Sequence, residues 1–592
     1  MATNHVDMIR KLALENSRLH DALKKAEKLY ASTTGESLCK LLGVQDLLMP
    51  DVIEPATKNP EPKKALPTLT SAQVSLDVHP GLSRLNALKA PPLKSNPANF
   101  RLGQYLITDE QQHSVELAIT GDSLKIEAGA GSGKTSNLTA ISQHMGKRKG
   151  LYLAFNQDIV KEAHGRFHRD TSCRTTHSVA YEAVGHPFMR RLKLKMTSQM
   201  VIDALQLRDW NGISKWAQAN IIRQWVAQFT QGDEPEIGKK SVPWKAINLL
   251  TKLGDRHQAY AAAQPIVTHL WPAAVRLWDL LRDVKGTLPV SPDVYLKIWA
   301  LNKPVLACDF ILFDEAQDTS GVMMKLINDQ PCQVIWVGDR RQQIYAWRGA
   351  VNAMDAIETS HTTALTRSFR YGQPIAEMAN LVLANFLNDR TFKIVGSPMV
   401  ESRLEEIANP KAILCRSNRG AMNELMMALK LKKKVHMSSD VSPLIVEIES
   451  CQHLMKGTRP RSPEFQSFKD WNDLVDYSET EVGAELAPLV KLLGLWSADE
   501  LLRALRSVQH VTQAEADVSI STVHKAKGRE FPTVRLADDF AFPTTDSGKS
   551  KIPFSEEEAR IFYVGITRAQ FGLDVTQCRA ARVALELSHF SA

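Results

Sequence analysis

Short apolar runs alternate with stretches of helical periodicity through most of the chain. From about Arg101 onward the apolar runs are LKIEA, GLYLAF, FILFDEA, QVIWVGD, KAILCRS and TVRLADDF. Short strands that alternate with helical patterns are typical of a parallel sheet covered by helices. The pattern therefore predicts an α/β fold with two such units. Each unit carries a mostly helical insertion with few strand signals.

The same pattern predicts where the domains begin and end. The predicted pieces are domain 1A (residues 101–177 and 299–361), insertion 1B (178–298), domain 2A (362–418 and 516–592) and the small insertion 2B (419–515). We interpret the tryptophans of insertion 1B as anchors of a helical core rather than a platform for stacked bases. They are Trp210, Trp216, Trp225, Trp244, Trp271 and Trp278.

The first hundred residues have a different character. Residues 1–50 contain apolar positions at heptad spacing, which fit either a short coiled coil or an amphipathic helix that docks on its own protein. Self-association through this helix and binding of a protein partner both stay open. Prolines recur among Lys, Ser and Ala in residues 51–100, which predicts an extended linker. The folded part is therefore expected to begin near Arg101.

Composition narrows the class of protein only slightly. The 592 residues are 44% hydrophobic and 23% charged, with a net charge of +8, which permits a polyanionic partner without requiring one. The seven cysteines never form a CxxC pair, which argues against a disulfide framework and a zinc knuckle. The chain has no run of about eighteen apolar residues that would span a membrane. We therefore expect a cytoplasmic protein.

A glycine-rich segment, AGAGSGKT, lies between a predicted strand and a predicted helix. This arrangement is typical of a phosphate loop, in which backbone N–H groups approach nucleotide phosphates. Lys134 adds a cation for the same oxygens, and the Thr135 hydroxyl is a candidate ligand for Mg²⁺. The candidate nucleotide contacts here are Ala128, Gly129, Ala130, Gly131, Ser132, Gly133, Lys134 and Thr135.

A second motif narrows the chemistry from binding to hydrolysis. The run FILFDEAQD is an apolar strand that ends in two adjacent carboxylates. Asp314 is a candidate ligand of the magnesium ion, and Glu315 is placed to polarise an attacking water. Acids at the end of a buried strand are costly unless they are paired, so a functional site is favoured over a solvated loop.

The motifs taken together, in order across residues 101–580, resemble the UvrD/Rep/PcrA family of superfamily 1 helicases. The resemblance implies two RecA-like domains, with ATP and Mg²⁺ bound between them. TDEQQ resembles the family's Q motif, which implies that Gln111 contacts adenine. LAFN and TTHS resemble motifs Ia and Ib, which implies that Phe155, Asn156 and His177 face DNA.

The remaining motifs carry the other residues that the resemblance implies. VGDRRQQIYAWRGA resembles motif III, with Gln342 as the γ-phosphate sensor and Tyr345 and Trp347 on DNA bases. SFR resembles motif IV, and YVGITR resembles motif VI; TVHKAKGREFP resembles motif V. The residues implied by these three motifs are Phe369 on adenine, Glu530 near the ribose, Thr522 and His524 on DNA, and Arg370 and Arg568 as arginine fingers.

Some positions depart from the common pattern. Arg340 and Arg341 stand where many family members have acids, and Arg529 stands where an apolar residue is usual. We expect these arginines to tune DNA affinity. The stretches DVYLKIWALNKP, DEAQDTSGVM and QQIYAWRGAVNAM resemble the F-box DNA helicase branch in particular, although the N-terminus has no evident F-box.

The resemblance implies an ATP-dependent helicase that moves along single-stranded DNA, 3′-to-5′, and unwinds duplex DNA ahead of it. The expected partners are single-stranded and tailed duplex DNA, and the expected location is the nucleoid. The alternative is a non-unwinding translocase or an ATPase subunit of a repair or defence complex, which the motifs do not exclude. An inactive DNA-binding scaffold is disfavoured by the intact Lys134, Glu315 and Arg568, and an RNA substrate is a weaker alternative.

Overall fold

The computed structural model describes residues 80–91, 101–102, 105–194, 196–251, 256–345, 352–462, 465–479, 486–540 and 554–588. Two compact units divide the chain, Met1–Leu76 and Asp77–Ala592, and all the described residues belong to the second. The predicted N-terminal helix, most of the predicted linker and Trp347 lie outside the described residues.

The described strands run in chain order as follows: β1 Arg101–Leu102, β2 Tyr105–Leu106, β3 Leu124–Ala128, β4 Gly150–Ala154, β5 Thr171–Thr175, β6 Phe310–Phe313, β7 Gln333–Gly338, β8 His361–Leu365, β9 Arg403–Leu404, β10 Ala412–Cys415, β11 Val435–Met437, β12 Val518–Thr522, β13 Phe531–Leu536 and β14 Ala569–Asp574.

The described α-helices are α1 Pro80–Asn86, α2 Asp109–Ile119, α3 Lys134–His144, α4 Gln157–Ala163, α5 Thr176–Ala180, α6 Ser198–Leu205, α7 Lys215–Gln231, α8 Trp244–Thr251, α9 Arg256–Arg282, α10 Pro292–Leu301, α11 Gly321–Asn328, α12 Ala353–Ala356, α13 Gln373–Phe386, α14 Asn418–Lys430, α15 Ser442–Met455, α16 Trp471–Glu479, α17 Ala487–Leu493, α18 Ala498–Val508, α19 Val523–Ala526, α20 Glu556–Ile566 and α21 Arg579–Ser588.

Two six-stranded parallel sheets organise these elements, which confirms the predicted α/β fold with two RecA-like units. The first sheet has the order β5-β4-β6-β7-β3-β8, and the second has the order β11-β12-β10-β13-β14-β9. The central strands β4, β6 and β7 are buried along their whole length. Burial on both faces explains why these strands read as continuous apolar runs.

The structure moves two of the predicted domain boundaries. β8 pairs with β3, so the first sheet extends to Leu365, past the predicted end of domain 1A at residue 361. β11 pairs with β12 at the edge of the second sheet, although its residues were predicted to lie in insertion 2B. An edge strand of three residues has too few apolar positions to show the alternation of a strand, and the segments around it have helical periodicity.

The end of the predicted linker is also folded, contrary to the prediction. Leu82 and Leu85 of α1 are buried in the core of the second domain. The Asn86 side chain donates to the Leu404 carbonyl oxygen at 2.8 Å, and the Leu404 N–H donates to Asn86 Oδ1 at 2.7 Å. The recurring prolines predicted an extended chain here. Instead, two leucines at helical spacing pack one short helix against the second domain.

The helical insertion 1B has its own core, which agrees with the interpretation of its tryptophans. Trp225 and Trp278 are buried in that core, and the side chains of Trp210, Trp216 and Trp244 pack against it. Trp271 differs, because half of it is exposed while its indole N–H donates to the Ile237 carbonyl oxygen at 3.1 Å. None of the helices in the described part of the chain is long and apolar enough to cross a membrane.

Candidate functional site

The carboxyl ends of β3, β6 and β7 meet at one edge of the first sheet. Parallel strands bring their following loops together there, so the phosphate loop, the acidic pair and the motif III segment become neighbours. Loops of the second sheet face them across a cleft of about 910 Å³. The cleft is lined from both sheets, by Gly131 to Ser136, Asp314, Glu315 and Gln342 on one side and by Phe369, Arg370, Glu530 and Arg568 on the other.

The phosphate loop ends where α3 begins. Gly131 and Gly133 have φ values of 74° and 77°, a left-handed backbone that favours glycine. A Cβ on Gly131 would lie 2.6 Å from Ser368 Oγ and 2.8 Å from Arg370 Cβ, so the second domain approaches the loop backbone directly. The Ser132 side chain is buried, and its Oγ has no hydrogen-bond partner. An orphaned hydroxyl at the helix N-terminus fits a site that accepts phosphate oxygens.

Lys134 and Glu315 form an ion pair at the floor of the cleft. The Nζ–Oε1 distance is 3.2 Å, and both side chains are largely buried. Glu315 has a φ of 53°, an unusual left-handed backbone for a residue with a Cβ, and Gln317 Nε2 donates to its Oε2 at 2.5 Å. The backbone therefore holds the carboxylate in one orientation, beside the cation.

Thr135 and Asp314, the neighbours of this pair in sequence, contact each other. The Thr135 hydroxyl donates to Asp314 Oδ2 at 3.2 Å, and the Tyr152 hydroxyl donates to the same oxygen at 2.9 Å. A hydroxyl and a carboxylate are hard oxygen donors of the kind that Mg²⁺ prefers. These two residues therefore fit a magnesium site beside the phosphate loop.

The pKa values of the two neighbouring acids shift in opposite directions. Burial, together with the charge of Glu315, raises the pKa of Asp314 above its ordinary value. Burial opposes ionisation of Glu315 too, but the nearby Lys134 and Lys527 ammonium groups outweigh it and hold the Glu315 pKa well below its usual range. Glu315 is thus ionised at neutral pH, and a cation near Asp314 would favour the ionised form of that residue as well.

Gln342 connects the two sides of the cleft. Its Nε2 donates to Asp339 Oδ2 at 2.7 Å, while its Oε1 accepts from Arg568 Nη2 at 3.2 Å. Arg568 is buried, and burial, with the charge of Arg370, lowers the pKa of its guanidinium. A guanidinium stays charged at neutral pH even after such a shift. Arg568, a buried cation of the second domain, therefore contacts Gln342 of motif III directly.

The other residues predicted on the second side also reach the cleft. Arg370 Nε donates to Glu530 Oε2 at 2.6 Å, and Arg370 Nη1 donates to the Thr567 carbonyl oxygen at 3.0 Å. The Phe369 ring and the Gln111 amide nitrogen come within 3.3 Å and 3.2 Å of the position that a Cβ on Gly133 would occupy. An aromatic face and an amide thus flank the glycine, although Gln111 is buried behind the cleft lining.

Three of the predicted nucleotide contacts, Ala128, Gly129 and Ala130, do not line the cleft. Ala128 ends β3, and the Gly129 N–H donates to the Leu365 carbonyl oxygen at 2.8 Å. The Ala130 N–H donates to the Tyr563 hydroxyl at 3.2 Å, and the Ala130 carbonyl oxygen accepts from Tyr371 at 2.9 Å. These backbone groups are already satisfied within the protein, so they shape the loop and do not line the cleft.

Sequence reasoning missed several residues that complete the site. Tyr371 and Tyr563 brace the phosphate loop from the second domain, and Tyr563 also donates to Asp339 Oδ2 at 3.1 Å. Lys527 Nζ, from motif V, pairs with Asp318 and donates to the Gln342 carbonyl oxygen at 2.5 Å. Each residue lies within or beside a quoted motif, but only the meeting of the two sheets pairs them.

The predicted DNA-facing residues fall into two groups. Phe155 and Tyr345 have nearly parallel rings with centroids 6.1 Å apart, and the His524 ring lies 6.2 Å from that of Tyr345. All three line the cleft. Burial and the nearby Arg416 lower the pKa of His524, so its ring is neutral at neutral pH. The sheets therefore bring together an aromatic group that could take unstacked bases.

The second group does not join these rings. His177 Nε2 lies 3.2 Å from Asp293 Oδ1, and its ring meets Tyr295 edge-on, away from the cleft lining. Thr522 is buried at the start of α19 and also lies outside the lining. Asn156 lines the cleft, but its Oδ1 accepts from the Ile159 N–H at 2.9 Å and caps α4.

Arg340 and Arg341, which were expected to tune DNA affinity, do not line the cleft and instead form ion pairs. Arg341 is 2% exposed, stacks on the Phe392 ring at 3.7 Å and pairs with Asp389 at 2.7 Å. Arg340 pairs with Asp389 at 3.2 Å. Because Phe392 and Asp389 follow α13, these arginines join the motif III segment to the second domain.

Comparison with known families agrees with this geometry. Residues 111–348, which hold the first sheet's phosphate loop and acidic pair, match the AAA domain family. Residues 447–580, which hold motifs V and VI, match the family of UvrD-like helicase C-terminal domains.

Individual relatives agree with the family matches. The chain is 28% identical over 521 residues to F-box DNA helicase 1 of Gallus gallus, covering 83% of this chain and 51% of that protein. It is 27% identical over 531 residues to F-box DNA helicase protein 1 of Schizosaccharomyces pombe, covering 81% of this chain and 58% of that protein. The chain thus spans about half the length of these relatives. The motifs, the two parallel sheets and these matches agree, and together they show that the chain is similar to UvrD-like helicases.

Proposed function

We propose that this chain is an ATP-driven motor that moves along single-stranded DNA and separates the duplex ahead of it. The observation that carries the proposal is the bridge from Arg568 to Gln342 at 3.2 Å, which joins the hydrolysis residues of one sheet to a cation of the other. The relatives above are named as DNA helicases, which supports strand separation as the use of this ATPase. The 3′-to-5′ direction is part of the proposal because it follows from the resemblance.

In the hydrolysis step, Lys134 provides positive charge to the phosphates, and the ionised Glu315 orients and deprotonates the attacking water. Arg370 and Arg568 approach from the second sheet and stabilise charge on the transferring phosphoryl group. Thr135 and Asp314 would hold Mg²⁺, which neutralises phosphate charge when bound. Planar guanidinium groups suit this role because they bind phosphate oxygens in a fixed fork.

Coupling to DNA follows from the spacing of residues on one segment. Gln342 contacts Arg568, and Tyr345, three residues later, lies between Phe155 and His524. The Tyr345 hydroxyl also donates to the His524 carbonyl oxygen at 3.0 Å, so the aromatic group also spans both sheets. Closure of the sheets would therefore move the phosphate contacts and the aromatic rings together, which gives stepping on stacked bases.

Strand displacement by the purified chain tests this proposal. A labelled duplex with a 3′ single-stranded tail, a matched duplex with a 5′ tail and a blunt duplex are incubated with ATP and Mg²⁺. Displacement of the 3′-tailed duplex alone supports the proposal, and loss of displacement in Glu315→Gln shows that hydrolysis drives it. Displacement of the 5′-tailed duplex alone would overturn the direction.

A second assay separates the proposed motor from a translocase that does not unwind duplex DNA. Displacement of streptavidin from the 3′ or 5′ end of a biotinylated single strand reports movement without duplex separation. DNA-stimulated ATP turnover with streptavidin displacement but no duplex displacement would favour the translocase. Turnover that DNA does not change would favour a regulatory ATPase subunit.

A further inference from the structure

Two cysteines that are 24 residues apart in sequence come together at the end of the first sheet that is remote from the cleft. Cys308 lies two residues before β6, and Cys332 lies one residue before β7. Their Sγ atoms are 4.0 Å apart, and both side chains are partly exposed. The sequence contains no CxxC motif, so only the pairing of the two strands shows this neighbourhood.

The backbone spacing suits a covalent bond between these residues. Phe310 lies opposite Gln333 in the parallel pair, so Cys308 and Cys332 are offset by about one residue across adjacent strands. Strands about 4.8 Å apart with a rise of about 3.3 Å per residue place such Cα atoms about 5.8 Å apart. Disulfides normally have Cα separations of about 4.4–6.8 Å, so little backbone movement is needed.

Hydrogen bonds connect the two loops that carry the cysteines. The Leu306 N–H donates to Gln330 Oε1 at 2.8 Å, and Gln330 Nε2 donates to the Pro304 carbonyl oxygen at 3.0 Å. Gln330 is buried, so these hydrogen bonds are shielded from water. On the other side of Cys308, the Lys149 N–H donates to Asp309 Oδ2 at 2.7 Å. Both thiols are therefore held in place, which raises the effective concentration of one thiol at the other.

We propose that Cys308 and Cys332 form a reversible dithiol–disulfide site that reacts with small-molecule disulfides of the glutathione type. The site is separate from the proposed motor function, because it lies at the opposite strand ends from Asp314 and Gln342. Its two thiols are partly exposed, whereas Cys415, Cys451 and Cys578 are buried.

The exchange proceeds in two steps that balance. The Cys332 thiolate attacks one sulfur of the small disulfide, forms a mixed disulfide and releases one small thiolate. Cys308 then loses its proton to solvent and attacks the Cys332 sulfur, and the second small thiol leaves. Two protein thiols are oxidised to one disulfide, and one small disulfide is reduced to two thiols.

The surroundings assign the order of attack. The hydrogen bond between the two thiols lowers the pKa of Cys332 although partial burial opposes this, whereas the same bond and burial raise the pKa of Cys308. The Arg148 guanidinium is held near the pair because its Nη2 donates to the Asp309 carbonyl oxygen at 3.2 Å. The thiolate is the nucleophile in exchange, so Cys332 reacts first and Cys308 resolves the mixed disulfide.

The test uses the purified full chain, treated with oxidised glutathione under native conditions. Remaining thiols are alkylated in denaturant, and peptides are identified by mass spectrometry without reduction. The expected result is a loss of two of the seven thiols and one linked pair of peptides containing Cys308 and Cys332. Retention of all seven thiols, or a bond to another cysteine, would overturn the proposal.

Two variants test the order of the steps. Cys308→Ser should stop at a glutathione adduct on Cys332, whereas Cys332→Ser should give neither the adduct nor the bond. Adducts on both cysteines of the wild type without a bond would also refute the site. Thermal unfolding provides a second measurement: oxidation should raise the Tm of the wild type and leave that of Cys332→Ser unchanged. A lower Tm after oxidation would show that the bond does not fit the native fold.

Discussion

Arg568 donates from Nη2 to Gln342 Oε1 at 3.2 Å, and this bond joins the two parallel sheets at the nucleotide cleft. The arginine is buried, with further bonds from Nε to the Val564 carbonyl oxygen at 3.1 Å and from Nη1 to the Arg529 carbonyl oxygen at 3.3 Å. Its position is therefore set by the second domain, and the distance from it to the phosphate loop depends on closure of the domains.

Arg568→Ala should reduce ATP turnover strongly and change ATP binding little. Removing one charge-stabilising donor typically costs about 10²–10³ in kcat. Steady-state hydrolysis gives kcat and KM, and Arg568→Lys serves as the matched control because it keeps the charge but loses the fork. A variant with unchanged kcat would show that Arg568 is only a packing residue.

Glu315→Gln should bind ATP but hydrolyse it slowly. The amide keeps the size of the side chain but cannot accept a proton, so a loss of about 10²–10⁴ in turnover is expected. Nucleotide affinity is measured with a fluorescent ATP analogue beside single-turnover hydrolysis. Equal losses of affinity and turnover would instead indicate that breaking the Lys134–Glu315 pair disrupts the loop.

Arg341→Ala and Asp389→Ala should each destabilise the chain by a similar amount, and the double variant should be no worse than either. An unpaired buried charge costs about 3–5 kcal/mol, but Arg340 still pairs with Asp389 and Glu127 still pairs with Arg341, so each loss should be smaller than that. Thermal unfolding of the three variants measures this coupling. Arg340→Ala is the control because Arg340 is 35% exposed and should matter less. Additive losses would contradict a direct pair.

Tyr345→Ala should weaken binding of single-stranded DNA without preventing ATP binding. Base stacking on an aromatic residue contributes about 1–3 kcal/mol, so an affinity loss of about 5- to 150-fold is expected. Fluorescence anisotropy of a labelled oligonucleotide measures it. Trp271→Ala, an exposed aromatic residue outside the cleft lining, is the matched control. An equal loss of DNA affinity in both variants would show that the aromatic group does not bind DNA.

Much of the first side of the site was predictable because its chemistry lies in contiguous motifs. AGAGSGKT and FILFDEAQD each place their functional residues directly after a buried strand, so the strand pattern alone brings Lys134 near Glu315. The placement of Ala128 to Ala130 behind the cleft lining has a physical reason. Motif membership does not indicate which backbone groups already form hydrogen bonds within the protein. Here the Leu365 carbonyl oxygen and the Tyr563 hydroxyl accept hydrogen bonds from the N–H groups of Gly129 and Ala130.

Contacts between the sheets were less predictable. Arg341 was expected to tune DNA affinity, yet it is buried against Phe392 and Asp389. Its partners lie about fifty residues away, beyond any local pattern. The α1 helix escaped prediction for a related reason, since its burial depends on Leu404 and neighbouring residues of the second domain.

ATP hydrolysis at a single site under the control of DNA is the property on which the proposed motor depends. It is measured as ATP turnover by the purified chain, with and without single-stranded DNA, beside Lys134→Ala and Glu315→Gln. We predict strong stimulation by DNA and loss of turnover in both variants. Turnover that ignores DNA, or that persists in both variants, would contradict this prediction.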